Sequence, residues 1–429
     1  MGRHVRPYIK SSHIWRRYLS TDPDALMIKW PRIEAIDEAV LEKPTTATFR
    51  PPRSPTGATV SNLFKKRFTM GYYDSFVQWM RRHDLVTADR MVLQFSGVPF
   101  EGPNAARYIN TPAGNGNYIN ELQVEGPAVD GAPNKHVVLI HGYGACKGFF
   151  YKNIKALGTV PGYTLHALDM LGYGLSSRPK FPTKLSNKSV EGIKQAEQFF
   201  VESLESWRQN KGIENFDMIA HSLGAYIGCS YAYEHSDRVN KILLASPAGV
   251  NRSAYSLPGE LLGDPANLTD PTGPTSPAPD YFKWLWDKKV SPFVIVRKTG
   301  PLGPMFTSGW SSRRFFRLPQ EEQEALQLYS YVMFNAPGSG EYALSYLLAV
   351  GGLGRWPLAE RVHQLKCPSL WVYGDRDWMD KRGGIIAAQR IRQKGGRATI
   401  VELENSGHHL YLDNYKEFNN LAVQFVTKF

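Results

Sequence analysis

A serine hydroxyl becomes a useful nucleophile only when the chain holds it clear of its own backbone and a base stands beside it. The run Ala220-His221-Ser222-Leu223-Gly224 has the residue types for the first condition. It follows the apolar stretch FDMIA directly and precedes a helical pattern that continues through about Glu234. Small residues two positions either side of a serine let the chain turn sharply from strand to helix, with the serine strained and its Oγ standing clear of the sheet. Glycine is usual at the first of these positions; Ala220 stands there, and a methyl still fits. The N-terminus of the following helix adds a partial positive charge where an oxyanion develops.

The base is sought near the end of the chain. His408, in Asn405-Ser406-Gly407-His408-His409, lies just past the last predicted strand, where a loop can return it to Ser222. The acid that holds the imidazole tautomer should end the preceding strand. In Gly374-Asp375-Arg376-Asp377 we choose Asp377, with Asp375 and Asp380 as rivals. An oxyanion needs two preorganised N–H donors. Leu223, the residue after the nucleophile, supplies one. The loop His141-Gly142-Tyr143-Gly144 supplies the other, from Tyr143 or, as its rival, Gly144. This chemistry needs no metal and no cofactor. Each signal alone has a plainer reading: a Gly-His pair is more often a loop, and HGYG an ordinary turn. Together, in this order and at the ends of predicted strands, they read as a serine hydrolase.

Such loops need parallel strands whose ends meet. MVLQF (91–95) and YINELQV (118–124) read as antiparallel starter strands. HVVLIHG (136–142), YTLHALDM (163–170), NFDMIAHS (215–222), VNKILLAS (239–246), SLWVYGD (369–375) and ATIVEL (398–403) follow as further strands. Ile193, Ala196, Phe199, Phe200, Leu204 and Trp207 carry helical spacing across 190–210. Alternating strands and helices predict an α/β fold: a mostly parallel sheet covered by helices on both faces. There is no internal repeat and no GxGxxG fingerprint.

The alternation breaks between about 250 and 360. Pro258, Pro265, Pro271, Pro274, Pro277 and Pro279 punctuate the first part, and aromatic and basic residues are mixed through the rest. This stretch reads as an insertion, a cap or lid over the sheet. Trp284, Trp286 and Trp310 could lie at lipid headgroup level with Arg313 and Arg314 near phosphates. Packing of the cap on the core is the alternative for most of these rings.

The 429 residues hold 42% hydrophobic and 21% charged side chains, enough for a full core and unlike a disordered chain. Lys and Arg number 51 against 39 Asp and Glu, a net +12 that favours an anionic partner. No nucleic-acid-binding motif accompanies that charge, so the expected partner is an anionic membrane surface or a phosphorylated substrate. Cys146, Cys229 and Cys367 are too few and too scattered for a disulfide framework or a cysteine-based zinc site. No apolar run reaches the roughly 18 residues of a transmembrane helix.

Residues 1–20 contain Arg3, Arg6, Lys10, Arg16 and Arg17, with serines interleaved and no acid before Asp22. This is the composition of an organellar transit peptide, or equally of a disordered basic tail. Residues 44–58 read as a Pro/Thr-rich linker. Leu63, Phe64, Phe68, Tyr72, Phe76, Val77 and Met80 then recur at helical spacing, with Lys65, Lys66, Arg67, Arg81 and Arg82 among them. Such a basic amphipathic helix can lie on an anionic membrane or dock its apolar face on the core. The chain therefore divides into 1–20, an extension over 21–86, a first core part over 87–250, a cap over 251–360 and a second core part over 361–429.

The order Ser222, Asp377, His408 resembles that of the α/β-hydrolases. The stretches HGYGACKGFFYKN, ALDMLGYGLSSRP, AHSLGAY, ILLASPAGV, SPFVIVRKTGPLGP, WSSRRF, VYGDRDWMD and GHHLYLDNYKEFN narrow the match. Together, over about 87–429, they resemble the subgroup of abhydrolase-domain proteins that holds lysophospholipid acyltransferases, N-acylethanolamine phospholipases and the yeast mitochondrial cardiolipin-specific deacylase. That resemblance implies a phospholipid acyl-ester substrate, with cardiolipin and a mitochondrial, membrane-peripheral location the specific expectations. It also implies a His-x4-Asp motif, matched by His408 and Asp413 and read in some relatives as acyltransferase chemistry. The sequence hardly separates deacylation from transfer of the acyl group to a lysophospholipid. A third reading, a non-catalytic lipase coactivator at a lipid surface, is weakened by the presence of Ser222.

Overall fold

Strands that are buried on both faces need mostly apolar residues, and four stretches of this chain supply them. In the computed structural model, which describes residues 70–102, 105–261 and 280–429, those stretches become the centre of one sheet. The elements begin with α1 (Tyr72–Met80), α2 (Leu85–Leu93), β1 (Arg107–Pro112), β2 (Tyr118–Glu125) and β3 (Lys135–Ile140). Next come α3 (Tyr151–Gly158), β4 (Tyr163–Leu168), α4 (Val190–Asn210), β5 (Phe216–His221), α5 (Leu223–Glu234) and β6 (Val239–Ala245). The cap contributes α6 (Asp280–Asp287), α7 (Pro292–Lys298), α8 (Gly303–Arg314) and α9 (Gln320–Asn335). The chain returns to the core with β7 (Ser369–Gly374), α10 (Lys381–Gln393), β8 (Ala398–Leu403) and α11 (Tyr415–Lys428).

The eight strands lie in the order β1-β2-β4-β3-β5-β6-β7-β8. β2 pairs antiparallel with both β1 and β4; every other pairing is parallel. β4, β5 and β7 are buried along their whole length, as is β3 from Val137 onward. Helices cover both faces of the sheet, α4 packing with α5 and α3 with α11. Register carries the function here. Ala220 aligns with Leu244 and His221 with Ala245, so the loops after β5 and β6 leave the sheet side by side. Ala245 aligns in turn with Val372 on β7.

Most predicted strands form within two residues of expectation. MVLQF does not: Met91–Leu93 finish α2 and Gln94–Ser96 form a 3-10 turn. Asp84 caps α2 by accepting from the Thr87 amide at 3.2 Å, and Ala88, Asp89, Val92 and Leu93 form its buried face. The first strand is instead Arg107–Pro112, the hairpin partner of β2. The transit-like segment 1–20, the linker 44–58 and the prolines at 265–279 lie outside the described residues.

α2 is tied in by an ion network beneath the loop after β3. Lys147, fully buried, sits 3.1 Å from Asp89 and 2.8 Å from Asp169, the residue after β4. Tyr108 and Tyr329 donate to Asp89 at 2.8 Å each, drawing in β1 and cap helix α9. Burial pushes the Asp89 carboxyl up, whereas Lys147 overcomes burial at Asp169 and holds it down.

The cap leans on the core through rings. Tyr143 stacks on Phe293 at 5.0 Å, and Phe293 on Phe334 at 4.5 Å. Trp310 meets Phe334 at 5.5 Å and Phe315 at 5.6 Å edge-on. Trp286 donates its indole N–H to the Leu348 carbonyl at 2.9 Å. Of the three tryptophans expected at headgroup level, Trp286 and Trp310 are packing residues and Trp284 is exposed.

α1 inverts the usual burial of an amphipathic helix. Its one buried residue is Ser75, whose Oγ donates to the Pro301 carbonyl at 2.6 Å and accepts from the Met305 amide at 3.2 Å. Tyr72, Tyr73, Phe76 and Met80 are 76%, 79%, 48% and 59% exposed. At about 100° per residue, these four share one side of the helix.

Candidate active site

The turn from β5 into α5 places Ser222 at φ 54°, ψ −119°, a left-handed conformation that costs a non-glycine residue of order 1–3 kcal/mol. The backbone around it is held from both sides: the Ser222 amide donates to the Ala245 carbonyl at 3.0 Å, and Ala225 donates to the Ser222 carbonyl at 3.1 Å. Gly224 is required by close approach, since a Cβ there would lie 2.2 Å from the His141 carbonyl oxygen. The Ala220 methyl is fully buried and faces Gly228, where even an added Cβ would stay 3.4 Å away. Ser222 is 7% exposed beneath the cap.

His408 arrives from the loop after β8, and its Nε2 lies 3.0 Å from Ser222 Oγ. On the other side of the ring, Nδ1 is 3.3 Å from Asp377 Oδ1. Gly374 lets these two loops meet, because a Cβ on it would fall 2.2 Å from the Ser406 carbonyl oxygen. Asp377 Oδ1 also accepts from the Met379 amide at 3.0 Å. The rivals do other work. Asp375 accepts from the Ser406 amide at 2.8 Å, and Asp380 caps α10 and pairs with Arg382.

The sequence reading missed Ser246, the residue after β6. Its Oγ lies 2.6 Å from His408 Nδ1 and its hydroxyl donates to Asp377 Oδ2. The network therefore assigns the Nδ1 proton to a position between Ser246 Oγ and Asp377, leaving Nε2 to accept from Ser222. Its only sequence signal is its place at the end of a predicted strand.

Leu223, the first residue of α5, has an amide with no intrahelical acceptor. The Tyr143 loop is fixed from below by His141, whose Nε2 accepts from the Met170 amide at 3.0 Å and whose Nδ1 lies 2.8 Å from the Gly142 carbonyl. Nδ1 therefore carries the proton and donates to that carbonyl. Burial pushes the His141 imidazole below its usual range and keeps it neutral. Gly142 approaches Ser222 closely: a Cβ there would meet the Ser222 Cβ at 2.8 Å. The loop after β3 and the amide of Leu223 thus flank the serine.

His141, Cys146 and Asp169 bring three metal-type donors within 4.8 Å. These donors are already engaged. Asp169 accepts from the Lys147 and Leu175 amides and pairs with Lys147, while His141 Nε2 accepts from Met170. Burial also pushes the Cys146 thiol well up, so it stays protonated. All three cysteines are buried and free.

Asp413, the second residue of the His-x4-Asp pattern, is not in hydrogen-bond contact with Ser222 or the His408 ring. Its carboxylate accepts from the Gly407 amide at 3.0 Å and from Arg314 of the cap at 2.9 Å. Arg314, expected near phosphates, is occupied there.

Comparison with known proteins agrees with this architecture. A family model for the alpha/beta hydrolase fold matches residues 135–276. A (lyso)-N-acylphosphatidylethanolamine lipase of Bos taurus is 30% identical over 326 residues, 74% of this chain and 85% of that protein. The chain belongs to the α/β-hydrolase family. This α/β-hydrolase is also 28% identical over 361 residues to a 1-acylglycerol-3-phosphate O-acyltransferase of Arabidopsis thaliana, covering 80% of each. A Saccharomyces cerevisiae protein of the same named activity is 26% identical over 328 residues, 68% of this chain and 82% of its own. Among solved structures, the carboxylesterase CesB of Bacillus subtilis aligns over 82% of this chain and 98% of its own, with TM-score 0.52 and 16% identity. That last likeness bears on the α/β-hydrolase fold alone.

Proposed function

We propose that this protein is a serine esterase that removes a fatty-acyl chain from a phospholipid, with cardiolipin as substrate, through an acyl-Ser222 intermediate. The observation that carries the reading is the 3.0 Å approach of His408 Nε2 to Ser222 Oγ, with Asp377 on the far side of the ring. His408 takes the hydroxyl proton as Ser222 Oγ attacks the acyl carbonyl carbon. The carbonyl oxygen, now an anion, is held by the Leu223 and Tyr143 amides. His408 gives the proton to the departing glycerol oxygen as that C–O bond breaks. Water then attacks the acyl-enzyme, loses a proton to His408 and releases the fatty acid, and His408 returns the proton to Ser222.

The named activities of the relatives support a phospholipid-type substrate. Cardiolipin and a mitochondrial location follow from the sequence resemblance and the basic, acid-free residues 1–20. We also assign α1 to an anionic membrane surface. Its Tyr72, Tyr73, Phe76 and Met80 face outward, exposed Arg81 follows them, and the chain carries a net +12. Among the described residues no helix is long and apolar enough to cross a membrane.

The test is purified protein on cardiolipin vesicles, with fatty acid and lysolipid measured by mass spectrometry. Release of both, and its loss by at least about 10³-fold in Ser222→Ala with fluorophosphonate labelling abolished, is expected. The second reading, transfer of the acyl group to a lysophospholipid, is favoured by the named activities of the plant and yeast relatives. Acceptor and water compete for the same acyl-enzyme, so lysolipid is added in a parallel arm. Net transfer without free fatty acid would replace the esterase reading by the transferase one.

A further inference from the structure

We propose that Arg314 and Asp413 form a latch through which the cap holds the His408 loop in register with Ser222. Asp413 is then a positioning residue for one active site, and it takes no part in a separate acyl-transfer chemistry. The proposal rests on the reading of Ser222 and His408 as nucleophile and base.

The loop between β8 and the short helical turn Leu410–Asp413 has to present one imidazole accurately, yet it carries two adjacent histidines that point to different partners. His408 reaches Ser222, while His409 turns back beside Phe149, with ring centroids 6.3 Å apart. From the core side, the His408 carbonyl accepts from His221 Nε2 at 2.9 Å. From its own turn, the Gly407 amide donates to Asp413 Oδ2 at 3.0 Å, one residue before the base. The remaining restraint comes from the cap. Arg314, the last residue of α8, donates Nε to His409 Nδ1 at 3.0 Å, one residue after the base, and Nη1 to Asp413 Oδ1 at 2.9 Å. His408 is therefore bracketed on both sides by contacts that converge on the Arg314–Asp413 pair.

The chemistry of the bracket is consistent. His409 can accept from a cation only if its ring is neutral. Burial first, and the Arg314 charge second, push its imidazole well below the usual range. Each Asp413 oxygen accepts a bond that holds the loop, and Asp413 is not in hydrogen-bond contact with Ser222 or the His408 ring. Arg314 Nη2 is buried without an acceptor, so the guanidinium is only partly satisfied. A partly satisfied contact opens at less cost than a full bidentate pair, which suits one that must release.

α8 connects this latch to α1. Its twelve residues span about 18 Å. Near its start, the Met305 amide donates to Ser75 of α1, and its last residue is Arg314. Displacement of α8 would withdraw Arg314 and loosen the loop that carries the base.

Arg314→Gln and Asp413→Asn test this, singly and together. Three readouts are taken: hydrogen exchange of residues 404–413, turnover of a soluble short-chain ester, and acyl transfer to lysolipid. The expected result is faster exchange in that loop in both variants, and kcat reduced about 10- to 100-fold at little-changed KM. Hydrolysis and transfer should fall by the same factor, and the double variant should be little worse than either single one. A melting temperature within a few degrees of the parent separates loss of the latch from loss of the fold. Unchanged exchange in Arg314→Gln overturns the latch. Loss of transfer alone in Asp413→Asn also overturns it, by giving Asp413 its own chemistry. If the parent protein fails to hydrolyse either ester, the serine-hydrolase reading fails instead, and the exchange measurement still decides whether Arg314 restrains the loop.

Discussion

The loops that carry Ser222 and Asp377 hang from strands buried along their whole length, that of His408 from the neighbouring edge strand β8, and the three side chains are hydrogen-bonded to one another. The cap and α1 are held differently: stacked rings, a few polar contacts, and outward-facing Tyr72, Tyr73, Phe76, Trp284 and Phe316. The first arrangement sets distances to within the tolerance of a proton transfer. The second presents area. Accuracy in this molecule comes from backbone register, where adjacent strands fix which loop tips meet, while access is left to composition on a less tightly held layer.

Substitutions at the strand ends should hit turnover and spare lipid binding. Asp377→Asn should lower kcat by about 10²- to 10⁴-fold, because the amide favours the wrong imidazole tautomer. Asp380→Asn, which keeps a capping side chain on α10, should stay within about twofold. Equal losses in the two would mean the acid has been misassigned. Substitutions on the outer layer should do the opposite. Replacing Tyr72, Tyr73 and Phe76 together by serine should weaken co-sedimentation with cardiolipin-containing vesicles about tenfold or more and leave turnover of a soluble short-chain ester unchanged. Unaltered vesicle binding would remove α1 from the lipid surface.

Ser246→Ala sharpens the contrast within the core. The Nδ1 proton would then face Asp377 alone across 3.3 Å. We expect a fall in kcat of about tenfold, with KM little changed, in steady-state assays on the soluble ester. The smallest effect is on stability. Burial, then neighbouring His166, lowers the His136 imidazole to about 4, and burial keeps His141, His221 and His409 low as well. Unfolded histidines take up protons below about 6.5, so this stability is complete above that pH and is lost as pH falls toward about 4. Thermal unfolding followed from pH 7.5 down to 4.5 should show the melting temperature declining by several degrees, with a shallower decline in His136→Gln.

The sequence made the site legible where residue type and chain direction agree. Small residues around Ser222 between an apolar strand and a helix, a glycine-led histidine after the last strand and an aspartate after the one before it are signals of backbone geometry. Ser246 had no comparable signal, because one serine after a strand looks like any other until β6 and β7 are seen side by side. The Arg314–Asp413 contact spans 99 positions and belongs to tertiary structure alone. MVLQF misled because a five-residue apolar run fits either period; the Asp84 cap upstream was the cue for a helix. Of the amphipathic pattern over 59–83, residues 59–69 lie outside the described residues and Tyr72–Met80 is helical; the pattern does not say which face meets the protein, and here the face with Ser75 does.

The salt-linked carboxylates around Lys147 have a practical corollary for anyone seeking a minimal catalytic fragment. Cutting before the first strand would remove Asp89 and with it one of the two counter-ions of Lys147 and the acceptor of two tyrosine hydroxyls. A fragment trimmed to the sheet should therefore express poorly or melt early, and the shortest robust version should begin ahead of Leu85.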